Sequence, residues 1–266
     1  MRRFSLIESF YDHKRFFLAL VRRDLTSSYA GSALGHFWAF LDPLMYVVLT
    51  LFFFQFAIKG ADTGGVPYVA WVLPQIIFWT FISGAINANV GSIKEYSFLM
   101  RHGDFDLRLV PIIKIASGLL MHGILMTCVI IALAIFLGVS ISVKTFSLFY
   151  YLLSMCALLI AVGWLVSAVG VFLKDLRNIV SLVLQVEFWI SPIFWSADRF
   201  PTPIAILMYI NPLYYPMNGY RQSIIHQEFG PFFWILTFYF WGLTFILLFI
   251  SSKLFKRMSR SFGDVI

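Results

Sequence analysis

Of the 266 residues, 60% are hydrophobic and only 12% are charged, whereas a soluble domain carries about a quarter of its residues charged. With a mean hydropathy of +0.84, this composition excludes a soluble enzyme and indicates an integral membrane protein. The net charge of +7 does not point to nucleic acid, because the basic residues flank apolar runs instead of lying on one polar face.

Residues 1–30 read as an amphipathic interfacial helix. Phe4, Ile7, Phe10, Tyr11, Phe17, Leu18 and Val21 are expected to face lipid, and Arg2, Arg3, Lys14, Arg15, Arg22 and Arg23 to meet headgroups. Because the bilayer core needs about 20 apolar helical residues, six spans are expected, at 37–58, 67–90, 110–137, 146–173, 179–196 and 231–254. The fifth is short, and Pro192 is expected to kink or end it. Of the 20 Lys and Arg residues, all but Lys59, Lys144, Arg199 and Arg221 fall on one side of these spans. The positive-inside rule therefore puts both termini in the cytoplasm. No internal repeat or linker divides the chain, so 1–266 reads as a single membrane domain, with the spans at 37–254 and a cytoplasmic tail at 255–266.

Several stretches stand out in chain order. In the first span Trp38, Asp42, Tyr46, Leu49, Phe53 and Phe56 recur at steps of three or four and share a face. The stretch 92–102, SIKEYSFLMRH, reads as a short amphipathic helix suited to a groove on a soluble partner. Tyr96, Leu99 and Met100 lie on one side, with Lys94, Glu95 and Arg101 available for charge pairing. In the fifth span Gln185, Trp189, Pro192 and Trp195 form a second aromatic face. Tyr and Trp offer a flat apolar surface and a hydrogen-bonding tip, which suits a sugar ring; packing between helices or against lipid accounts equally for such faces. Glu187 in the same span faces either a pathway or a hydrogen-bonded neighbouring helix, and His122 in the third span reads as packing.

Residues 211–223, NPLYYPMNGYRQS, interrupt the apolar sequence. Two short helices are expected there, at 203–209 and from Pro216 to 227, broken at Asn211-Pro212. An eight-residue helix covers about 12 Å, less than half the membrane. The expected form is thus an external helical hairpin that dips into the membrane and returns, with Tyr214, Tyr215, Asn218, Tyr220 and Arg221 near an external mouth.

The chain has no G-x-x-x-x-G-K-[ST], H-E-x-x-H, G-x-S-x-G or G-x-G-x-x-G pattern and no paired cysteine motif. No two of its five histidines lie at metal-ligand spacing, so neither a catalytic nor a metal site is expected. A membrane-embedded transferase would need an acid–base cluster that the sequence lacks, and a scaffold would not need the broken hairpin.

Three stretches carry a family resemblance. Residues 22–44, RRDLTSSYAGSALGHFWAFLDPL, resemble the approach to the first span in permease subunits of polysaccharide-export ABC transporters. Residues 172–195, FLKDLRNIVSLVLQVEFWISPIFW, resemble that family's link into the fifth span, and 211–221, NPLYYPMNGYR, its hairpin. The chain looks most similar to O-antigen exporters, then to teichoic-acid exporters. Tyr29 matches the second residue of the family's usual Arg-Tyr pair, but Ser28 replaces the first, which weakens any phosphate contact there.

The resemblance implies a homodimer paired with two separate nucleotide-binding ATPase subunits that hold ATP and Mg, with no cofactor in this chain. It implies a bacterial inner-membrane location and an undecaprenyl-linked polysaccharide as cargo. Arg22, Arg23 and Tyr29 would lie where the substrate enters, and Trp38, Tyr46, Phe53, Gln185, Trp189 and Trp195 would line the channel. Tyr214, Tyr215 and Arg221 would form the external gate. Lys94, Glu95, Tyr96 and Leu99 would dock on the ATPase, and Lys174, Asp175 and Arg177 would make a second contact.

Overall fold

Unbroken apolar sequence in water-free surroundings leaves the helix as the way to satisfy each backbone amide locally. The computed structural model describes residues 10–11, 13–27, 35–38, 41, 44–45, 48–49, 52, 67–101, 105–140, 142–226 and 232–266. The regular structure among them is entirely helical. Helix α1 covers Lys14–Ser27. Four segments are long and apolar enough to cross a membrane: Tyr68–Val90 (α2), Leu109–Leu137 (α4), Val143–Phe172 (with α5 at Ser147–Phe172) and Phe233–Asp264 (with α9 at Phe233–Met258). They coincide with the second, third, fourth and sixth expected spans. Between them lie the short α3 (Ser92–Glu95), α6 (Leu176–Ile190), α7 (Thr202–Ile210) and α8 (Tyr214–Ile225). Most of the first expected span, including Tyr46 and Phe53, lies outside the described residues, as does Tyr29.

Each boundary has a local cause. Helix α4 stops at Gly138, whose φ of +65° costs a glycine little. Helix α6 stops where Ser191 turns extended before Pro192, and at 15 residues it is shorter than α2, α4, α5 and α9. Helix α8 begins two residues before the expected Pro216, which occupies the first turn, where its missing N–H has no helical partner to lose. It ends at His226, a non-glycine residue with φ +56°. The His226 ring accounts for that conformation, because Nε2 lies 3.0 Å from Ser142 Oγ and 2.9 Å from Thr145 Oγ1.

Helices α2 and α5 form the centre: two thirds of each apolar window is buried, against 17% for α4 and 11% for the α9 segment. α5 packs against α9, α2 and α8, and α2 against α4 and α6. Two glycines set the closest crossings. A Cβ on Gly170 would meet the Val90 carbonyl oxygen, so α5 touches the end of α2 backbone to backbone. A Cβ on Gly219 would fall 2.1 Å from the Tyr151 ring, so α8 can lie on α5 only with glycine there. The apolar core divides along the helices. One cluster gathers α1, the segment 92–113, the end of α5 and the end of the α9 segment; another gathers α2, α5 and α8.

The interfacial reading of α1 needs correction. Phe17, Leu20 and Val21 are buried against Ile93, Leu99, Leu109 and Ile113 and not turned to lipid, while Leu18 and Tyr11 remain exposed. The helix packs on α4.

Gly219→Ala should lower the thermal midpoint of the detergent-solubilised chain, costing about 1–3 kcal/mol as the Tyr151 ring is displaced. Gly123→Ala, where a Cβ meets nothing within 4 Å, should be neutral or mildly stabilising. Equal midpoints for the two variants would remove the close approach as a constraint.

Candidate functional site

Helix α6 buries only Val180 and Leu184. Its exposed surface carries Asn178, Ser181, Gln185 and Trp189 at steps of three and four, which form one row of hydrogen-bonding groups along the helix. Helix α2 presents a matching row of Thr80, Ser83 and Asn87, all half-buried. The two meet in an open groove of about 470 Å³ lined by Trp79, Thr80, Ser83, Ser181, Leu184, Gln185, Phe188 and Trp189. No lining residue is charged. Thr80 Oγ1 donates to the Ile77 carbonyl at 2.8 Å and Ser83 Oγ to the Trp79 carbonyl at 2.9 Å, which leaves acceptor lone pairs on both hydroxyls. Two of the channel residues expected from the sequence, Gln185 and Trp189, thus lie together. Trp195 is half-buried and stacks on Trp189 with centroids 6.1 Å apart. Trp38 is exposed, among few described neighbours in its span. The α2 row was missed; its signal was the spacing of Thr80, Ser83 and Asn87 along an otherwise apolar run.

Helices α7 and α8 form a tight corner beside this groove. Asn211 Nδ2 donates to Glu187 at 2.6 Å, while its Oδ1 accepts from the Leu213 amide at 2.8 Å. Glu187 therefore ties α6 to the corner, the second of the two roles open to it. Tyr214, Tyr215 and Arg221 do not face an opening. All three are buried, with their polar groups turned onto protein. Arg221 donates to the Pro192 carbonyl at 2.9 Å and to Asn218 at 2.7 Å, and its guanidinium sits 3.7 Å from the centre of the Trp71 ring. Tyr215 shares its hydroxyl with Tyr150 and Thr237. His122 Nε2 lies 3.0 Å from the Tyr220 hydroxyl, and Gln75 donates to the Met217 carbonyl at 2.7 Å. These residues hold the corner shut.

At the far end of the molecule, 92–101 is a turn of α-helix followed by a 3-10 helix, Ser97–Arg101. Tyr96 and Leu99 cannot form a docking face, since both are buried in the chain's own core. The outward surface comprises Lys94 and Glu95, with Ser97 and Phe98 half-buried beside them. Lys174, Asp175 and Arg177 are exposed, and the Arg177 guanidinium lies against Gly91, where a Cβ would come within 3.2 Å. The two loops expected to touch a partner are therefore neighbours. Arg22 and Arg23 are also exposed at this end, with Arg23 5.0 Å above the Phe98 ring. Burial pushes the Tyr96 phenol above its ordinary range, and the adjacent Asp24 carboxylate adds to this, so the hydroxyl stays a donor.

The family profile of the ABC-2 type transporter matches residues 15–225, from α1 through α8. The chain belongs to the ABC-2 type transporter family. This transporter chain is 21% identical over 258 residues to the O-antigen export system permease protein RfbA of Klebsiella pneumoniae, covering 94% of each. It is 21% identical over 269 residues to RfbA of Myxococcus xanthus, covering 98% and 99%. The capsule polysaccharide export inner-membrane protein CtrC of Neisseria meningitidis serogroup A matches at 22% over 225 residues, 82% of each chain.

In the transporter, Asn211→Ala should cost about 1–3 kcal/mol, because it strands the Glu187 carboxylate and a backbone amide together. Glu187→Gln, which keeps an acceptor for Asn211, should cost less. Thermal midpoints in one detergent check the order, and the reverse order would discount the tie.

Proposed function

We propose that this chain is the transmembrane subunit of an ATP-driven exporter that moves undecaprenyl-linked O-antigen polysaccharide from the cytoplasm to the periplasm. The observation that carries this reading is the α2–α6 groove. Its lining offers hydroxyls, an amide and indole rings without charge, a chemistry that fits a neutral polyol and poorly fits an ion. The O-antigen export relatives cover nearly the whole chain. The capsule export relative supports a second reading, export of capsular polysaccharide or a similar lipid-linked amphiphile such as teichoic acid.

In this reading the protein crosses the bacterial inner membrane six times, with 37–58 and α6 as the first and fifth spans and both termini cytoplasmic. Residues 197–230 form an external re-entrant hairpin; the buried polar network of α8 supports this, since such groups survive at membrane depth only against protein. Two copies face each other so that their polar rows line one channel. Two ATPase subunits holding ATP and Mg dock below, on Lys94, Glu95, Ser97 and Phe98 and on the adjoining Lys174, Asp175 and Arg177. Closure of the ATPase pair pushes on these loops and separates the two permease copies. Arg22 and Arg23 attract the pyrophosphate of the lipid carrier, and Tyr29 serves the same entry step. Aromatic stacking from Trp189 and Trp195, together with Trp38, Tyr46 and Phe53 of the first span, lets the glycan slide without a deep well. Tyr214, Tyr215 and Arg221 act as the fixed wall of the exit.

Expressed in a strain lacking its own O-antigen permease, together with the partner ATPase, the chain should restore surface O-antigen. Ser83→Leu with Gln185→Leu should lower that export by about tenfold, at unchanged membrane abundance, as polar contacts with the sugar are lost. Undiminished export by this variant would refute the groove as the path. Restoration of capsule without O-antigen would favour the second reading.

A further inference from the structure

The deepest ion pair among the described residues joins parts of the chain far apart in sequence. Asp24 of α1 is 4% exposed and Lys114 of α4 is 8% exposed, with Lys114 Nζ 2.5 Å from Asp24 Oδ1. Ser117 Oγ donates to the other Asp24 oxygen, and the Tyr96 hydroxyl donates to Oδ1 at 3.1 Å. Lys114 also reaches Glu95 at 2.7 Å. One carboxylate and one ammonium thus bind three segments: α1, the loop 92–101 and the start of α4. A carbon-only core would hold these segments together at least as firmly, because desolvating an ion pair offsets most of its attraction. What the charges add is a fixed register, since one position of α1 satisfies every partner at once.

We propose that Asp24 is a positioning residue for transport: through Lys114, Tyr96 and Glu95 it locks α1 to the loop 92–101, so that a displacement of that loop is delivered directly to α1. The inference rests on the exporter reading, in which the loop receives the ATPase stroke. Glu95 lies half in this network and half on the outward surface, 51% exposed, so a single residue touches both the docking face and the lock. Arg23 over Phe98 adds a second tie between the same two segments. Arg22 and Arg23 directly precede Asp24 in sequence and face outward, so movement of α1 carries their charges with it.

Single variants strand one buried charge and endanger folding. The test therefore uses the doubly neutral Asp24→Asn/Lys114→Gln, with Asp24→Glu as the conservative comparison, in the complete permease–ATPase complex in proteoliposomes. The quantities read are polysaccharide exported per ATP hydrolysed and hydrogen exchange of α1 amides with and without ATP. For the double variant we expect ATP hydrolysis within about twofold of wild type, export per ATP lower by about tenfold, and α1 exchange that no longer responds to ATP. Asp24→Glu should recover most of the ratio. A wild-type ratio in the double variant, an α1 that still responds to ATP, or hydrolysis lost in step with export would each overturn the proposal. Failure of the wild-type complex to export any polysaccharide would instead sink the exporter reading.

Discussion

A bilayer core offers a polar group no partner, and this constraint governs the arrangement of the chain. The corner between α7 and α8 buries Asn211, Tyr220 and Arg221 and half-buries Asn218 among apolar side chains. Each finds a partner on α2, α4, α6 or within the corner itself. Helix α8 also lies so close to α5 that only glycine fits at position 219 beside the Tyr151 ring. Once α8 is seated, α6 is held through Glu187, and its polar row can face the row on α2. The groove is thus a consequence of how the corner is satisfied.

The two ends of the molecule obey different rules. Around the groove, hydroxyls and amides are spaced along helices and charge is absent from the lining. Around α1 and the loop 92–101, charge is concentrated and partly buried, with Asp24, Lys114 and Glu95 in one chain of contacts. A path for a long neutral polymer benefits from weak, repeated contacts. A joint that must hold its geometry under load benefits from directional, charge-assisted bonds.

Length and hydropathy made most of the helices legible, because a run of apolar residues with a glycine or proline at its end has few alternatives. The faces of those helices were harder to read. Phe17, Leu20 and Val21 form an apolar stripe whether they meet lipid or protein, since both are equally apolar. Asp24 continues that stripe, seven residues from Phe17, and an acid on an apolar face was the available sign that the stripe meets protein and a cation. Tyr96 and Leu99 were placed outward for the same reason, although amphipathicity does not say which side of a short helix the core lies on. From the sequence alone the polarity of Tyr214, Tyr215 and Arg221 points to an external mouth, whereas in the structure these residues belong to a network closed on the protein itself.

The contact of Gly170 with the Val90 carbonyl has a mechanical consequence. It pins the last residue of α2 to α5 with no side chain between them, two residues before the loop 92–101 begins. Only Gly91 separates the pinned Val90 from Ser92, so the loop 92–101 is tied almost directly to the central helix pair. Because no side chain stands between the two backbones to yield, neither helix can shift at this crossing without displacing the other.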